Sequence, residues 1–385
     1  MAQESISSCA MVAGEASGDW LGANLLREMR TRWPGMRASG IGGAAMVKQG
    51  FEAWWPCERL AVRGYVEVLP RYLELVRMRK ELGRRILQAR PDLFIGIDAP
   101  DFNLDLEIRL RAAGIKTIHY VSPSFWAWRA DKLRKLKQAA DLVLCVFPFE
   151  PALLEAQGIR ARYVGHPLAS AIPLQPDQAA ARLSLGLNPS DTVVALLPGS
   201  RASEIQHLAG RFLEAAAIMA RARAGLRFVV PAVPTLAHQV RKLVQAAGMT
   251  ESIMLLEGRS HEALAACDLA LVASGTATLE AALFKRPMVI AYHMNPLSWR
   301  ITRGKRLQPW VGLPNILCQD MVVPEFLQER ATPQALAQTM LAWLEQPERA
   351  DALRQTFATM HQTLRRDTAA ITLQAIEDLC GLARS

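Results

Sequence analysis

Two periods alternate along this chain, and that alternation is the strongest constraint on its fold. Short apolar runs rich in β-branched residues are each followed by a longer stretch whose apolar residues return at helical spacing. This order predicts a parallel sheet with crossover helices, an α/β fold. In the first half it places strands near Ser8–Ala13, Ala38–Ile41, Leu93–Ile97, Thr117–Val121, Leu142–Val146 and Ala161–Val164. A Pro-rich stretch without period, from Ile172 to Asp177, precedes a second series near Val193–Leu197, Arg227–Pro231, Ile253–Leu256, Leu269–Val272 and Met288–Ala291. The last fifty or so residues, from Pro333, carry only helical period. The expected organisation is two doubly wound, Rossmann-like lobes, residues 1–170 and 171–345, whose strand ends face a crevice between them. Helices over 346–385 are expected to pack back on the first lobe or on a partner subunit.

At 385 residues, 51% hydrophobic and 21% charged, the chain is long and apolar enough for two cores, which excludes a disordered or low-complexity protein. Its 45 Lys and Arg against 36 Asp and Glu leave a net charge of +9. That balance suits an anionic partner: nucleic acid, an acidic membrane surface or a phosphorylated small molecule. The six cysteines are scattered without a C-x-x-C pair and read as reduced, as in a cytoplasmic protein. No secretory signal and no membrane span is expected. The seven histidines form no ligand-like cluster, so neither a metal nor another cofactor is expected.

The chemistry-bearing residues fall just after predicted strands. Gly14, Glu15, Ser17, Gly18 and Asp19 make a small-residue turn into the first helix, where backbone N–H groups can approach sugar or phosphate oxygens. Gly199, Ser200 and Arg201, followed by Glu204, open the second series in the same way, and Arg201 adds a planar guanidinium suited to a diphosphate. Ser274, Gly275, Thr276, Ala277 and Thr278 lead into a further helix, with Glu280 one turn on, where a carboxylate can accept from ribose hydroxyls or can simply cap the helix. Asp98, after Gly96-Ile97, is a candidate general base, and Asn315, fixed by a preceding proline, a candidate substrate contact or a turn residue.

Two further segments admit two readings each. Ser124 and Trp126 lie on an aromatic loop, followed by Lys132, Arg134, Lys135 and Lys137, which fits base stacking with phosphate contacts as well as an acylated sugar phosphate. Val66, Val68, Leu69, Tyr72, Leu73, Leu75 and Val76 form an apolar helix face flanked by Arg71, Arg77 and Arg79. That face suits either a bilayer interface or an ordinary core.

Taken together and in order, Gly14 to Asp19, Gly96 to Asn103, Ser122 to Trp128, Gly165 to Leu168, Leu197 to Arg201 with Glu204-Ile205, Ser274 to Glu280 and Leu313 to Asn315 resemble the lipid-A-disaccharide synthase family over nearly the whole chain. The resemblance implies a GT-B glycosyltransferase that condenses UDP-2,3-diacylglucosamine with 2,3-diacylglucosamine 1-phosphate, inverting the donor carbon, in lipid A and hence lipopolysaccharide biosynthesis. It implies Asp98 as base, Arg201 and the 274–278 turn on the diphosphate and Glu280 on the ribose. It also implies peripheral contact with the cytoplasmic face of the inner membrane through Val66 to Val76, no metal, and a homodimer as a compatible assembly. Two rivals stand beside it: a UDP-N-acetylglucosamine 2-epimerase-like enzyme, and a basic nucleic-acid-binding protein.

Overall fold

The computed structural model describes residues 5–60, 65–125, 131–295, 299 and 307–382. It divides into two compact units, Met1–Pro167 with Leu364–Ser385, and Leu168–Thr363.

In the first unit β1 (Ser8–Ala13), β2 (Arg37–Gly42), β3 (Glu52–Pro56), β4 (Leu93–Ile97), β5 (Lys116–Tyr120), β6 (Leu142–Cys145) and β7 (Ala161–Tyr163) form one parallel sheet in the order β3-β2-β1-β4-β5-β6-β7. Every residue of β4 and β6 is buried, as expected of strands covered on both faces. The helices α1 (Ala16–Arg32), α2 (Ala44–Lys48), α3 (Tyr65–Ala89) and α4 (Pro100–Ala112) supply much of that cover. Phe94 of β4, Met78, Leu82 and Ile86 of α3 and Leu106 and Leu110 of α4 share one core. The last helix, Thr368–Cys380, belongs to this unit, and Arg32 of α1 holds its Glu377 at 2.7 Å.

The second unit contains β8 (Thr192–Leu197), β9 (Leu226–Ala232), β10 (Ile253–Glu257), β11 (Leu269–Ala273), β12 (Met288–Tyr292) and β13 (Glu325–Leu327), all parallel, in the order β10-β9-β8-β11-β12-β13. Helices at Gly210–Ala222, Pro234–Ala246, Ser260–Ala266 and Thr276–Leu283 connect them. Two strands, β3 and β13, go beyond the sequence expectation. Both are edges, and neither has a buried apolar run: β13 is half-buried throughout, and in β3 only the adjacent Trp54 and Trp55 are half-buried, the rest being exposed.

Each sheet reverses its direction of growth once. In the first unit the chain builds β1, β2 and β3 outward and then returns to lay β4 on the other side of β1. In the second it builds β8, β9 and β10 and returns to lay β11 beside β8. At such a switch point the loops leaving two adjacent strands diverge, opening a crevice at the strands' carboxyl ends where ligands bind.

Candidate active site

Both switch points hold the turns that the sequence singled out. In the first unit the turn after β1 and the turn after β4 lie side by side: a Cβ on Gly14 would fall 2.4 Å from the Cβ of Ala99, so only glycine allows the approach. Asp98 and Ala99 have φ of 52° and 42°. Two successive non-glycine residues in the left-handed region cost about 1–3 kcal/mol each, and such strain concentrates at functional sites. The Asp98 N–H donates to the Tyr120 carbonyl at 2.8 Å, and the Asn103 amide donates to the Asp98 carbonyl at 2.8 Å. With its backbone held on both sides, the half-buried Asp98 carboxylate takes no hydrogen bond or ion pair among the described residues.

The neighbouring turn is less open than expected. Glu15 caps α1 in an extended conformation, Ser17 is exposed and Gly18 is buried. Asp19, expected at the substrate, is 7% exposed, and its carboxylate accepts from the N–H groups of Gly43, Ala45 and Met46 at 2.7, 2.9 and 3.1 Å. It closes the N-terminus of α2, and the three amides occupy most of the carboxylate's accepting capacity.

In the second unit the turns after β8, β9, β10 and β11 surround a cavity of about 310 Å³. Gly199, Ser200, Arg201 and Glu204 line one side, Ser274, Gly275, Thr276, Ala277 and Glu280 another. Pro231, Ala232, Val233, Gly258 and Ser260 complete it, a wall that motif reading missed. The available signal was positional, since each of these follows or ends a strand in the parallel series.

The turn after β11 suits an anion. The Ser274 N–H is taken by Ala291 and that of Thr278 by Gly275, whereas the amides of Gly275, Thr276 and Ala277 have no acceptor among the described residues. They sit at the positive end of the helix Thr276–Leu283. The hydroxyls expected to assist do not all face the cavity. Ser274 Oγ donates to the Val311 carbonyl at 2.9 Å. Thr278, fully buried, donates to Gly275 and accepts from the Leu313 N–H. Among the described residues the Thr276 hydroxyl, on an exposed residue, makes no such tie. Glu280 is one turn inside; burial pushes its carboxyl above the usual carboxylate range, with His261, 3.8 Å away, opposing the shift.

The turn after β8 departs from expectation in one respect. Its amides are not open: those of Ser200 and Arg201 donate to Glu204 Oε2 at 2.8 and 3.3 Å, and the Arg201 guanidinium donates to Glu204 Oε1 at 2.6 Å. Gly199, at φ 122°, is required here, since a Cβ would lie 2.4 Å from that carboxylate. Glu204 therefore organises the turn and lines the cavity, at which Arg201 remains half-exposed.

Asn315 is engaged within the protein as well. It is fully buried, its amide donates to the Val323 carbonyl and to Glu325, and its oxygen accepts from the Val323 N–H. It ties the helix Leu313–Cys318 to the segment entering β13. Ser124 is exposed, and Trp126 lies outside the described residues. The apolar face of α3 is described in part: the side chains of Val66, Val68, Leu69 and Tyr72 lie outside the described residues, Leu73 is 66% exposed, and Leu75 packs against the core. Among the described residues no helix is long and apolar enough to cross a membrane, and no group of three or more His, Cys, Asp or Glu could hold a metal ion.

Comparison with known proteins extends this geometry to a family. The family profile described as Lipid-A-disaccharide synthetase matches residues 9–376. The lipid-A-disaccharide synthases of Albidiferax ferrireducens and Verminephrobacter eiseniae are each 56% identical over 375 residues, covering 96% of this chain and 96% of theirs. That of Pseudomonas syringae pv. tomato is 49% identical over 377 residues, 98% of each chain. Among solved structures, the S. aureus MnaA–UDP structure is similar with a TM-score of 0.66 at 12% identity over 98% of both chains. A glycosyltransferase from Rickettsia africae gives 0.61 at 12% identity, over 98% of this chain and 99% of its own. These likenesses show the fold, two Rossmann-like lobes of the GT-B type, and at such identity they show the fold alone. With a profile match over nearly its entire length and relatives more than half identical across 96% of both sequences, the chain belongs to the lipid-A-disaccharide synthase family of glycosyltransferases.

Proposed function

We propose that this enzyme transfers the sugar of UDP-2,3-diacylglucosamine to the 6-hydroxyl of 2,3-diacylglucosamine 1-phosphate, giving the β-1,6-linked disaccharide 1-phosphate and UDP. The observation that carries the reading is the cavity at the switch point of the second sheet, where three open amides, a guanidinium and a carboxylate surround a space of about 310 Å³. The amides of Gly275, Thr276 and Ala277 together with Arg201 suit the diphosphate, and Glu280 suits the ribose.

Asp98 is the proposed base in the first unit. As the acceptor oxygen bonds to the donor's anomeric carbon, its proton passes to the Asp98 carboxylate. The bond from that carbon to the diphosphate breaks, and its electron pair leaves with UDP. One displacement turns an α-linked donor into a β-linked product. The lack of any competing partner on the Asp98 carboxylate among the described residues supports this role, because a base already saturated by donors would be weak. Both substrates are acylated, and the exposed Leu73 on α3, within a basic segment, supports peripheral contact with an anionic bilayer surface.

The deciding experiment follows UDP release from the acylated donor in detergent micelles, with and without the acylated sugar phosphate. Release that depends on the acceptor is the expected result. A folded protein that binds UDP yet releases none, and that instead interconverts UDP-N-acetylglucosamine with its 2-epimer, would overturn the reading.

A further inference from the structure

Behind the Asp98 turn lies a group of polar side chains that the reaction, as described, does not use. Asn103, Glu107 and His119 are all fully buried. Glu107 Oε1 and His119 Nδ1 are 2.7 Å apart, linking α4 to β5 across β4. The remaining atoms, Glu107 Oε2, His119 Nε2 and Asn103 Oδ1, have no hydrogen-bond partner among the described residues. Gly96 faces His119 in the sheet, and the cluster exists only because this residue is glycine: a Cβ would fall 2.1 Å from Glu107 Oε1 and 3.1 Å from Asn103 Cβ.

Such an arrangement is costly. A buried hydrogen-bonded pair with unsatisfied polar atoms is commonly less stable than apolar side chains of the same volume, so its presence in a well-packed core calls for a reason other than stability. The wiring supplies one. The peptide groups of Asp98 are held by two different elements: Tyr120, the residue after His119 on β5, accepts from its N–H, and Asn103, one turn before Glu107 on α4, donates to its carbonyl. Glu107 and His119 join those same two elements.

We propose that Asn103, Glu107 and His119 form a buried positioning network which fixes α4 against β5 and thereby holds the left-handed Asp98-Ala99 turn, setting where the Asp98 carboxylate points. The inference rests on the reading of Asp98 as the base. Its members touch no reacting atom; they act through Asp98.

The test replaces the pair by apolar residues in the full-length enzyme, Glu107→Leu with His119→Leu. The variant is expected to unfold at the same or a higher temperature and to keep its affinity for UDP and its donor KM, while kcat falls about 10- to 100-fold, the scale of a small misplacement of a reacting group. A merely structural pair would move stability and not kcat alone. Glu107→Gln, which keeps an acceptor for the His119 ring, is expected to recover most of the turnover that Glu107→Leu loses. Should the double variant fail to fold, Asn103→Ala removes only the tie to the Asp98 carbonyl and is expected to lower kcat with donor KM unchanged. Asp98→Asn separates the two layers of the argument. If it keeps near-normal turnover, the base assignment fails, and this proposal with it. If it abolishes turnover while folded Asn103→Ala or the double Leu variant keeps kcat within about twofold, the base stands and the network is overturned.

Discussion

In the first unit the turn from β4 into α4 holds Asp98 and Ala99 at φ 52° and 42° over a buried Glu–His pair. In the second, the turn from β11 into the helix Thr276–Leu283 uses Gly275 at φ 151°, and beyond its chain neighbours no described residue lies within 4 Å of where its Cβ would be. Both turns leave a central strand beside the switch point of their sheet. One presents a side chain, and its backbone is gripped from two sides; the other presents backbone amides, and the space above it is open. A group that must meet a proton in one orientation needs a fixed rotor, whereas a diphosphate, with several equivalent oxygens, needs only converging donors.

The comparison breaks first at Asp98. Asp98→Asn is expected to lower turnover by about a hundred- to ten-thousandfold with UDP affinity intact, measured as steady-state UDP release beside calorimetric UDP titration. Loss of UDP affinity in this variant would mean that the first turn is also a nucleotide contact. Next in size is Arg201→Ala. Removing a charged hydrogen-bond donor costs about 1.5–3 kcal/mol, or about 10- to 150-fold in kcat/KM for the donor. Arg201→Lys should recover only part of this, since an ammonium lacks the planar fork.

Gly275→Ala probes the open turn. The space admits a methyl group, so the expected loss of about tenfold in UDP affinity comes from forcing an L-residue to φ 151°. Unchanged affinity would show that the 275–277 amides do not hold the diphosphate. The smallest effect concerns pH. Because burial raises the Glu280 carboxyl, it takes up its proton at a higher pH than an ordinary glutamate and then no longer accepts from two ribose hydroxyls. Affinity for the UDP-sugar should therefore weaken by about threefold as pH falls through that raised range, and Glu280→Gln should flatten the profile. A profile identical in the two proteins would remove Glu280 from the ribose.

Much of this was legible in the sequence, for local reasons. The expected strands at Ser8–Ala13 and Leu93–Ile97 match β1 and β4, since a fully buried parallel strand reads as an uninterrupted apolar run. The helix face expected over Val66 to Val76 falls on α3, which begins at Tyr65 and runs through Pro70. The edge strands β3 and β13 were invisible, having no buried face to impose a period. Glu107 and His119 left a trace that was not used: a histidine inside an apolar strand, and a glutamate four residues after Asn103 on a helix face that is otherwise apolar.

The sequence by itself determined the succession of strands and helices and the residues standing at each turn, since periodicity and turn chemistry act between near neighbours along the chain. Only the tertiary structure decided which polar groups remain available. Asp19 is occupied by amides more than twenty residues away, Ser274 Oγ by the carbonyl of Val311, and Asn315 by the segment entering β13. A polar group has a fixed capacity to donate and accept, and whether that capacity is filled depends on what folding brings beside it. The same holds for the Asp98 turn, whose conformation is set by β5 and α4 rather than by the residues in it.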